Sequence, residues 1–434
     1  MTDLRNARVS RGQFFRMMGG LAVAAAATAC STKPQTTATT GGGPAATELK
    51  FVGVSDQMTP MDKLAAAYQK VKPSVRLTTS YAPTDQVQTS VRTQLGAGNA
   101  PDLHVVYPGN GSAMSMTQIA KAGLLADLSD QAWTRSIPDG FKPALQLDGK
   151  TYMHSAGSTV IGAIYNKKVF EKAGIDAPPT TWSEFLAACG KLKKAGLAPI
   201  ALGAQTPWVT QLITYALVPS TVYAKDPTFD DKQLAGQATF AGSGWRQAME
   251  MYLELQKRGF FNDNPNGTTF EQQISLVATG KAGMAIQVSA VLPDFRKAAA
   301  ASAEDLSMFP VPGADQADAV WIPAGVVVGL GAGAKGANVA EAKAFVDFLG
   351  KQESINAWAE AISAIPLTQD ATSVVDPAVE SFLPFTKDRA VPFMDQRWPN
   401  AEVQPVHFAV VQELLAGKSS IDEALKKMDE AYRK

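Results

Sequence analysis

The chain has 434 residues, and its 40 Lys and Arg balance 40 Asp and Glu to a formal net charge of zero. That balance leaves no basic stripe for nucleic acid and no block of like charge that reads as a tail. Beyond the first thirty residues no unbroken apolar run reaches eighteen, so the remainder is not expected to cross a membrane as a helix.

At the amino terminus, Arg5, Arg8, Arg11 and Arg16 precede an apolar stretch from Met17 to Ala29 that only glycines and one threonine interrupt. A basic end, a short apolar core and small residues before a break read as a secretory signal peptide over residues 1–29, too short to span a bilayer permanently. Ser10-Arg11-Gly12-Gln13-Phe14-Phe15-Arg16 looks like a twin-arginine export signal with Gly12 where the second arginine belongs, which leaves the export route, Sec or Tat, open. Ala27-Thr28-Ala29-Cys30 resembles the lipobox of bacterial lipoproteins, and the resemblance implies that Cys30 carries lipid and begins the mature chain. Cys189 is then the sole thiol, so no internal disulfide is expected and the exported protein must rely on its core. Residues 30–434 suffice for two ordinary domains. The stretch 31–47 is rich in Ser, Thr, Gly and Pro, cannot offset its ordering entropy by burial, and reads as a flexible tether.

From residue 48 onward, strands alternate with helices. Leu49–Val54 reads as a strand, Met61–Lys70 as an amphipathic helix, Val75–Tyr81 as a second strand, Val87–Leu95 as a helix and Leu103–Tyr107 as a third strand. This spacing implies parallel βαβ units with ligands at the carboxyl ends of the strands. Val160–Tyr165 is a further strand. Thr181-Trp182-Ser183-Glu184 has the pattern of a capping box that opens a helix ending near Gly196. Trp245–Arg258 reads as a helix, Ala282–Val288 and Gly325–Leu330 as strands, and Val339–Leu349 as a helix. Ser420-Ile421-Asp422-Glu423 is a second capping box at the head of the last helix.

Ala100-Pro101-Asp102-Leu103, Ala122–Leu128, Asp148-Gly149-Lys150-Thr151-Tyr152, Ile164-Tyr165-Asn166-Lys167, Pro178–Phe185, Ala340–Leu349 and Gly417–Leu425 follow one another in an order and spacing that cover nearly the whole mature chain. In this it resembles the solute-binding proteins of ABC sugar importers, the family that includes maltose-binding protein. The resemblance implies an α/β fold: a two-lobed periplasmic-binding-protein fold with a ligand cleft between the lobes and hinge crossovers. One lobe would comprise 48–155 plus 325–363 and the other 156–324 plus 364–434. Crossovers would lie near Ser155-Ala156-Gly157, Pro323-Ala324-Gly325 and Ile365-Pro366. It further implies a monomeric receptor, anchored through Cys30, that hands a carbohydrate to membrane permease subunits, with no cofactor and no nucleic acid.

A sugar presents a rim of hydroxyls and faces of C–H groups, which suit polar side chains and flat aromatic rings respectively. At strand ends the sequence offers Ser55, Asp56 and Gln57 after the first strand, and Tyr107 with Asn110 after the third. By position in the resembling family, Ser158, Trp208, Gln287, Trp321, Trp398 and His407 join them from the second lobe. Each has a plainer reading. Asp56 and Asn110 are also helix-capping types, Gln287 and His407 suit a core, and the Pro-flanked Trp208, Trp321 and Trp398 suit burial under a loop. Trp182, Trp245 and Trp358 lie in predicted helices and read as core, as do Met58, Met61, Met114 and Met116; Trp133 is open.

Rival chemistries find little support. The Gly-x-Ser-x-Gly turn of serine hydrolases is missing, although a surface-anchored glycoside hydrolase with paired carboxylates leaves no motif to test. Gly331-Ala332-Gly333-Ala334-Lys335-Gly336 formally matches a dinucleotide fingerprint, but a lone match in a chain with 35 glycines reads as a turn. His104, His154 and His407 form no ligand spacing, and Asn262–Gly267 echoes a calcium loop without its leading Asp or closing Glu. A phosphorylated polyol such as glycerol 3-phosphate would call for cations, and Arg397 is the only one near the expected loops, so an uncharged sugar is preferred.

Overall fold

The computed structural model describes residues 46–434. The expected signal peptide 1–29, the acylation site Cys30 and the tether as far as residue 45 lie outside the described residues. The first strand starts at Thr47, two residues before the expected Leu49.

In chain order the strands are β1 (Thr47–Val54), β2 (Val75–Ala82), β3 (Leu103–Val106), the hairpin β4 (Gln146–Leu147) and β5 (Lys150–Thr151), β6 (Gly157–Asn166), β7 (Ala198–Ile200), β8 (Ala282–Val288), β9 (Leu306–Phe309), β10 (Ile322–Gly325), β11 (Gly329–Ala332), β12 (Ile365–Pro366) and β13 (Ala390–Val391). They build two main sheets. In the first, ordered β11-β3-β1-β2, β1 runs parallel to β2 in the register Thr47 opposite Val75 through Val54 opposite Ala82, and β11 is antiparallel to β3. Leu49 and Phe51 alternate with more exposed neighbours along β1 and point into the core. The helices Met58–Val71 and Thr84–Ala97 cover this sheet. The first buries Met61, Leu64 and Tyr68, and the second Val87, Val91 and Leu95, spacings that return to one helical face. Met58 is exposed and lies off that face, a correction to its expected core role.

The second sheet is ordered β13-β10-β6-β8-β7. All ten residues of β6 are buried, because the strand is paired along its length: β12 and β10 take its amino-terminal residues, and β8 and β9 its carboxyl-terminal ones. The helix Gln211–Val218 packs nearby with every residue buried. Such all-round burial erases the amphipathic period on which sequence reading depends.

The predicted strand Gly325–Leu330 does not exist as one element. Gly325 pairs with Thr159 in the second sheet, whereas Gly329 pairs with Val106 in the first, so Val326-Val327-Val328 is the passage between sheets. The β-branched run mimics a strand, but it has no ladder partner. This passage lies beside Ser155, whose hydroxyl donates to the carbonyls of Gly157 and Val328, while Leu367 N–H donates to Ala156 O at 2.9 Å. The three segments that link the sheets are thereby held side by side.

The last helix, Ile421–Tyr432, carries its full reciprocal capping box. At the helix Trp182–Lys194, Thr181 accepts from Glu184 N–H as expected, but Glu184 reaches back to the amide and hydroxyl of Thr180 rather than to Thr181. A further capping box, Thr269 with Gln272, heads the helix Phe270–Ala278 and was not anticipated.

Candidate functional site

A cleft of about 340 Å3 opens between the ends of the two sheets, within the size range of small-molecule sites. The first sheet supplies Val54 and Ser55 from the end of β1, Tyr107 and Pro108 from the end of β3, and Asp85 and Gln88 from the first turns of the helix Thr84–Ala97. The opposite wall comprises Trp208, Phe270, Glu271 and Asp294, with Ile161 and Val288 behind them. Gln211 and Tyr215, one turn apart on the buried helix, join Asp395 and Gln404 at the floor. The placement follows from topology. Parallel strands send their carboxyl-terminal loops to one edge, and β1 and β3 therefore deliver Ser55 and Tyr107 together.

Tyr107 is fixed by its backbone, which donates to Met114 O at 3.0 Å and accepts from Met116 N–H at 2.7 Å. Trp208 stands half-buried, its ring edge-on to Phe270 at 4.9 Å between centroids. These aromatic faces alternate with acceptors, the arrangement a polyhydroxylated ring requires.

The floor is one short turn, Met394–Arg397, wedged between the halves of the molecule. Loop residues Gly109 and Gly111 run so close to it that a Cβ at either would lie 2.1 Å from Gln396 O or 2.0 Å from Asp395 O. Only glycine permits that approach. Asn110 between them donates its amide to Pro399 O and accepts from Gln118 Nε2 at 2.8 Å, and its N–H donates to Gln396 O at 3.1 Å. Gln396 Nε2 in turn donates to Val326 O at 2.6 Å. Asp395 Oδ2 accepts from Gln404 Nε2 at 3.0 Å.

The electrostatics are one-sided. Asp85, Glu271, Asp294 and Asp395 line the cleft, and no Lys, Arg or His does so among the described residues. Burial pushes the Asp395 carboxyl up to about 6 against the opposing pull of the neighbouring Tyr215 phenol. Burial, with the Asp395 carboxylate beside it, also pushes that phenol well above its ordinary range. Desolvation raises Asp85 and Asp294, with Lys297 drawing Asp294 back. A strongly perturbed carboxylate in a cleft is a mark of a functional site. Among the described residues no group of three or more His, Cys, Asp and Glu could hold a metal ion.

Of the residues expected from sequence, Ser55, Tyr107 and Trp208 line the cleft, and Asp56 sits in the same turn as Ser55. The others lie elsewhere. Gln57 is tucked into the first core, Asn110 spends its side chain on the floor turn, and Ser158 is buried at the β6–β12 pairing. Trp321 is partly buried beside β10, where its backbone exchanges hydrogen bonds with the Ser220 hydroxyl. Gln287 is fully buried in β8 and donates to Gln273 Oε1 at 2.7 Å. Trp398 and His407 are buried beneath the floor: Trp398 packs on Tyr215, Phe240 and Trp245, and His407 stacks on Tyr215 at 5.7 Å. Ser158 and Gln287 lie on strands turned inward, Trp398 follows a buried turn, and His407 faces the core from the helix Val403–Leu415, so position in sequence misled about exposure. Asp85, Gln88, Gln211, Tyr215, Glu271, Asp294, Asp395 and Gln404 were missed. The available signal was polar residues inside an otherwise apolar segment, Gln211 and Tyr215 within a buried helix above all.

Residues 53–354 match the model of the bacterial extracellular solute-binding protein family. The melibiose/raffinose/stachyose-binding protein MelE of Bacillus subtilis (strain 168) is 24% identical over 387 residues, which cover 86% of this chain and 85% of that one. Among solved structures, a chitin oligosaccharide binding protein superposes with a TM-score of 0.76 at 20% identity, covering 90% of this chain and 99% of the other. A sugar transporter from Bacillus licheniformis in complex with stachyose gives 0.71 at 20% identity, over 89% and 99%. The fold shared with them is the two-lobed one.

Proposed function

We infer the role of this chain from the premise that it belongs to the bacterial extracellular solute-binding protein family: it captures a saccharide outside the cell and delivers it to the membrane subunits of an ABC importer. The observation that carries this reading is the composition of the cleft, where the half-buried rings of Tyr107 and Trp208 stand among amide, hydroxyl and carboxylate groups. Relatives named for raffinose, stachyose and chitin oligosaccharides support the same ligand class. A phosphorylated polyol is disfavoured, because no cation lines the cleft among the described residues.

Saccharide that touches both walls shifts the population toward a closed form, and closure removes water from the polar contacts. Lipid on Cys30 and the tether that follows it keep the receptor beside the permease and raise its effective concentration there. The chain acts by binding, as a monomer and without a cofactor.

Titration calorimetry against raffinose, stachyose, xylo-oligosaccharides and chitin oligosaccharides tests the reading. At least one series binds, and Trp208→Ala weakens that binding by about 1–3 kcal/mol. Silence from every series refutes the ligand class, and an unchanged affinity removes Trp208 from the site.

A further inference from the structure

The four cleft carboxylates are uncompensated. None of Asp85, Glu271, Asp294 and Asp395 belongs to an ion pair among the described residues. Two cations lie near the cleft but neither pairs with these acids. Lys297 lies one turn beyond Asp294 on an exposed helix face, and Arg397 is held by Asp230 at 3.3 Å and Asp231 at 2.7 Å.

A plainer explanation is that three of the acids complement helix dipoles, since Asp85, Glu271 and Asp294 each occupy the first turn of a helix. Each helix end supplies roughly half a positive charge, so three ends offset about one and a half of four negative charges. The excess remains, in a cleft backed by Ile161, Val288 and Val328 and therefore poor at screening it. Glu271 is also not needed as a cap, because Thr269 and Gln272 already close that helix end.

A second observation points the same way. Asp395 Oδ2 accepts from Gln404 Nε2 at 3.0 Å, and no cation pairs with the carboxylate among the described residues. Beside it stands the Tyr215 phenol, buried yet part of the cleft lining. A floor with spare acceptors, under aromatic rings, suits an ammonium group, which brings three donors and a full charge and is attracted to ring faces.

We propose that the cleft selects saccharides carrying a protonated amine over neutral saccharides of the same size, and rejects those carrying carboxylate or phosphate. This rests on the cleft being a saccharide site. The amine sits over Asp395, within the field of Asp85 and Asp294, while Tyr107 and Trp208 cover the sugar faces.

Titration calorimetry on the full chain compares three series of equal length: glucosamine oligosaccharides, their N-acetylated counterparts, and glucuronate-containing oligosaccharides, each at low and at high salt. The amine series binds about tenfold or more tightly than the N-acetylated one, the advantage shrinks as salt screens the carboxylates, and the glucuronate series binds weakest. Asp294→Asn and Asp85→Asn each lower the ratio of amine to N-acetyl affinity by about threefold to fivefold. Thermal melts establish that each variant is folded. N-acetylated sugars binding as well as or better than amines, or a ratio indifferent to salt, overturns the proposal and leaves the saccharide reading standing. Failure of all three series overturns the proposal, and it overturns the saccharide reading as well only where raffinose, stachyose and xylo-oligosaccharides are silent too.

Discussion

Asp395→Asn should make the unliganded protein more stable. The carboxyl is carried from an ordinary value of 3.8 up to about 6 by burial, so the folded protein holds its proton more tightly than the unfolded chain. A rise of that sign means that ionisation works against folding. The favourable contribution is complete below the unfolded value and is lost as pH rises through about 6. At about 1.4 kcal/mol per pH unit, the charged form costs the native state about 3 kcal/mol at neutral pH. Asparagine fits the same volume, keeps an oxygen to accept from Gln404 Nε2, and places its amide beside the Tyr215 phenol. Denaturant unfolding of both proteins between about pH 4 and pH 8 measures the difference. It should be near zero at the acid end, grow through pH 5 and 6, and level off at about 3 kcal/mol above pH 6. An Asp395→Asn protein no more stable than the original at pH 8, or a gap that does not change with pH, refutes the reasoning. The same substitution should weaken capture of the ligand, the trade expected where a destabilising charge is retained for function.

The three histidines predict acid sensitivity of the opposite sign. Burial lowers His104 and pushes His154 and His407 down to about 3. Their contribution is therefore complete above the unfolded value of 6.5 and is lost as pH falls below it. Each removes about 1.4 kcal/mol per pH unit, and a pH series on His407→Leu should show a shallower slope below pH 6.5; an unaltered slope counts against a buried neutral imidazole there. This slope is common to the original and Asp395→Asn and cancels in their difference. Gly111→Ala should lose about 1–3 kcal/mol in thermal or denaturant unfolding, because its Cβ meets backbone rather than a yielding side chain. An Ala variant of unchanged midpoint would show that the floor turn is free to move.

The first sheet was legible because its parts are local and one-sided. Strands β1 and β2 and the helices behind them bury one face, and that face repeats in the sequence with a period the eye can follow. Ala282–Val288 and Val339–Leu349 were legible to the residue for the same reason of clear flanking signals. The second lobe was harder. The helix Gln211–Val218 is buried all round, and β6 is paired along both edges, so neither carries a polar–apolar rhythm. The cleft was legible only where a strand end delivers a residue directly, as with Ser55 and Tyr107, or where an aromatic stands in a loop facing the gap, as with Trp208. Trp398 has the same local sequence character as Trp208. It went to the core because the turn that carries it is gripped by Gly109 and Gly111, more than 280 positions away in the chain and invisible to any local pattern.

That grip also assigns work within the cleft. The turn Met394–Arg397 is held to the first lobe by the Gly109–Gly111 loop and by Asn110, to the passage between sheets by Gln396, and to the second core by Trp398 on Tyr215, Phe240 and Trp245. A segment tied on three sides cannot follow either wall alone. On the proposed reading, Asp395 and the Tyr215 phenol meet the ligand in the same geometry whatever the walls do, and their desolvation cost is met during folding rather than on binding. The adjustable contacts are those on the walls, Asp85 and Gln88 against Trp208 and Phe270. On the proposed reading the amine is anchored by Asp395 on a fixed floor, while Asp85 and Asp294 add their field from walls that can approach the sugar.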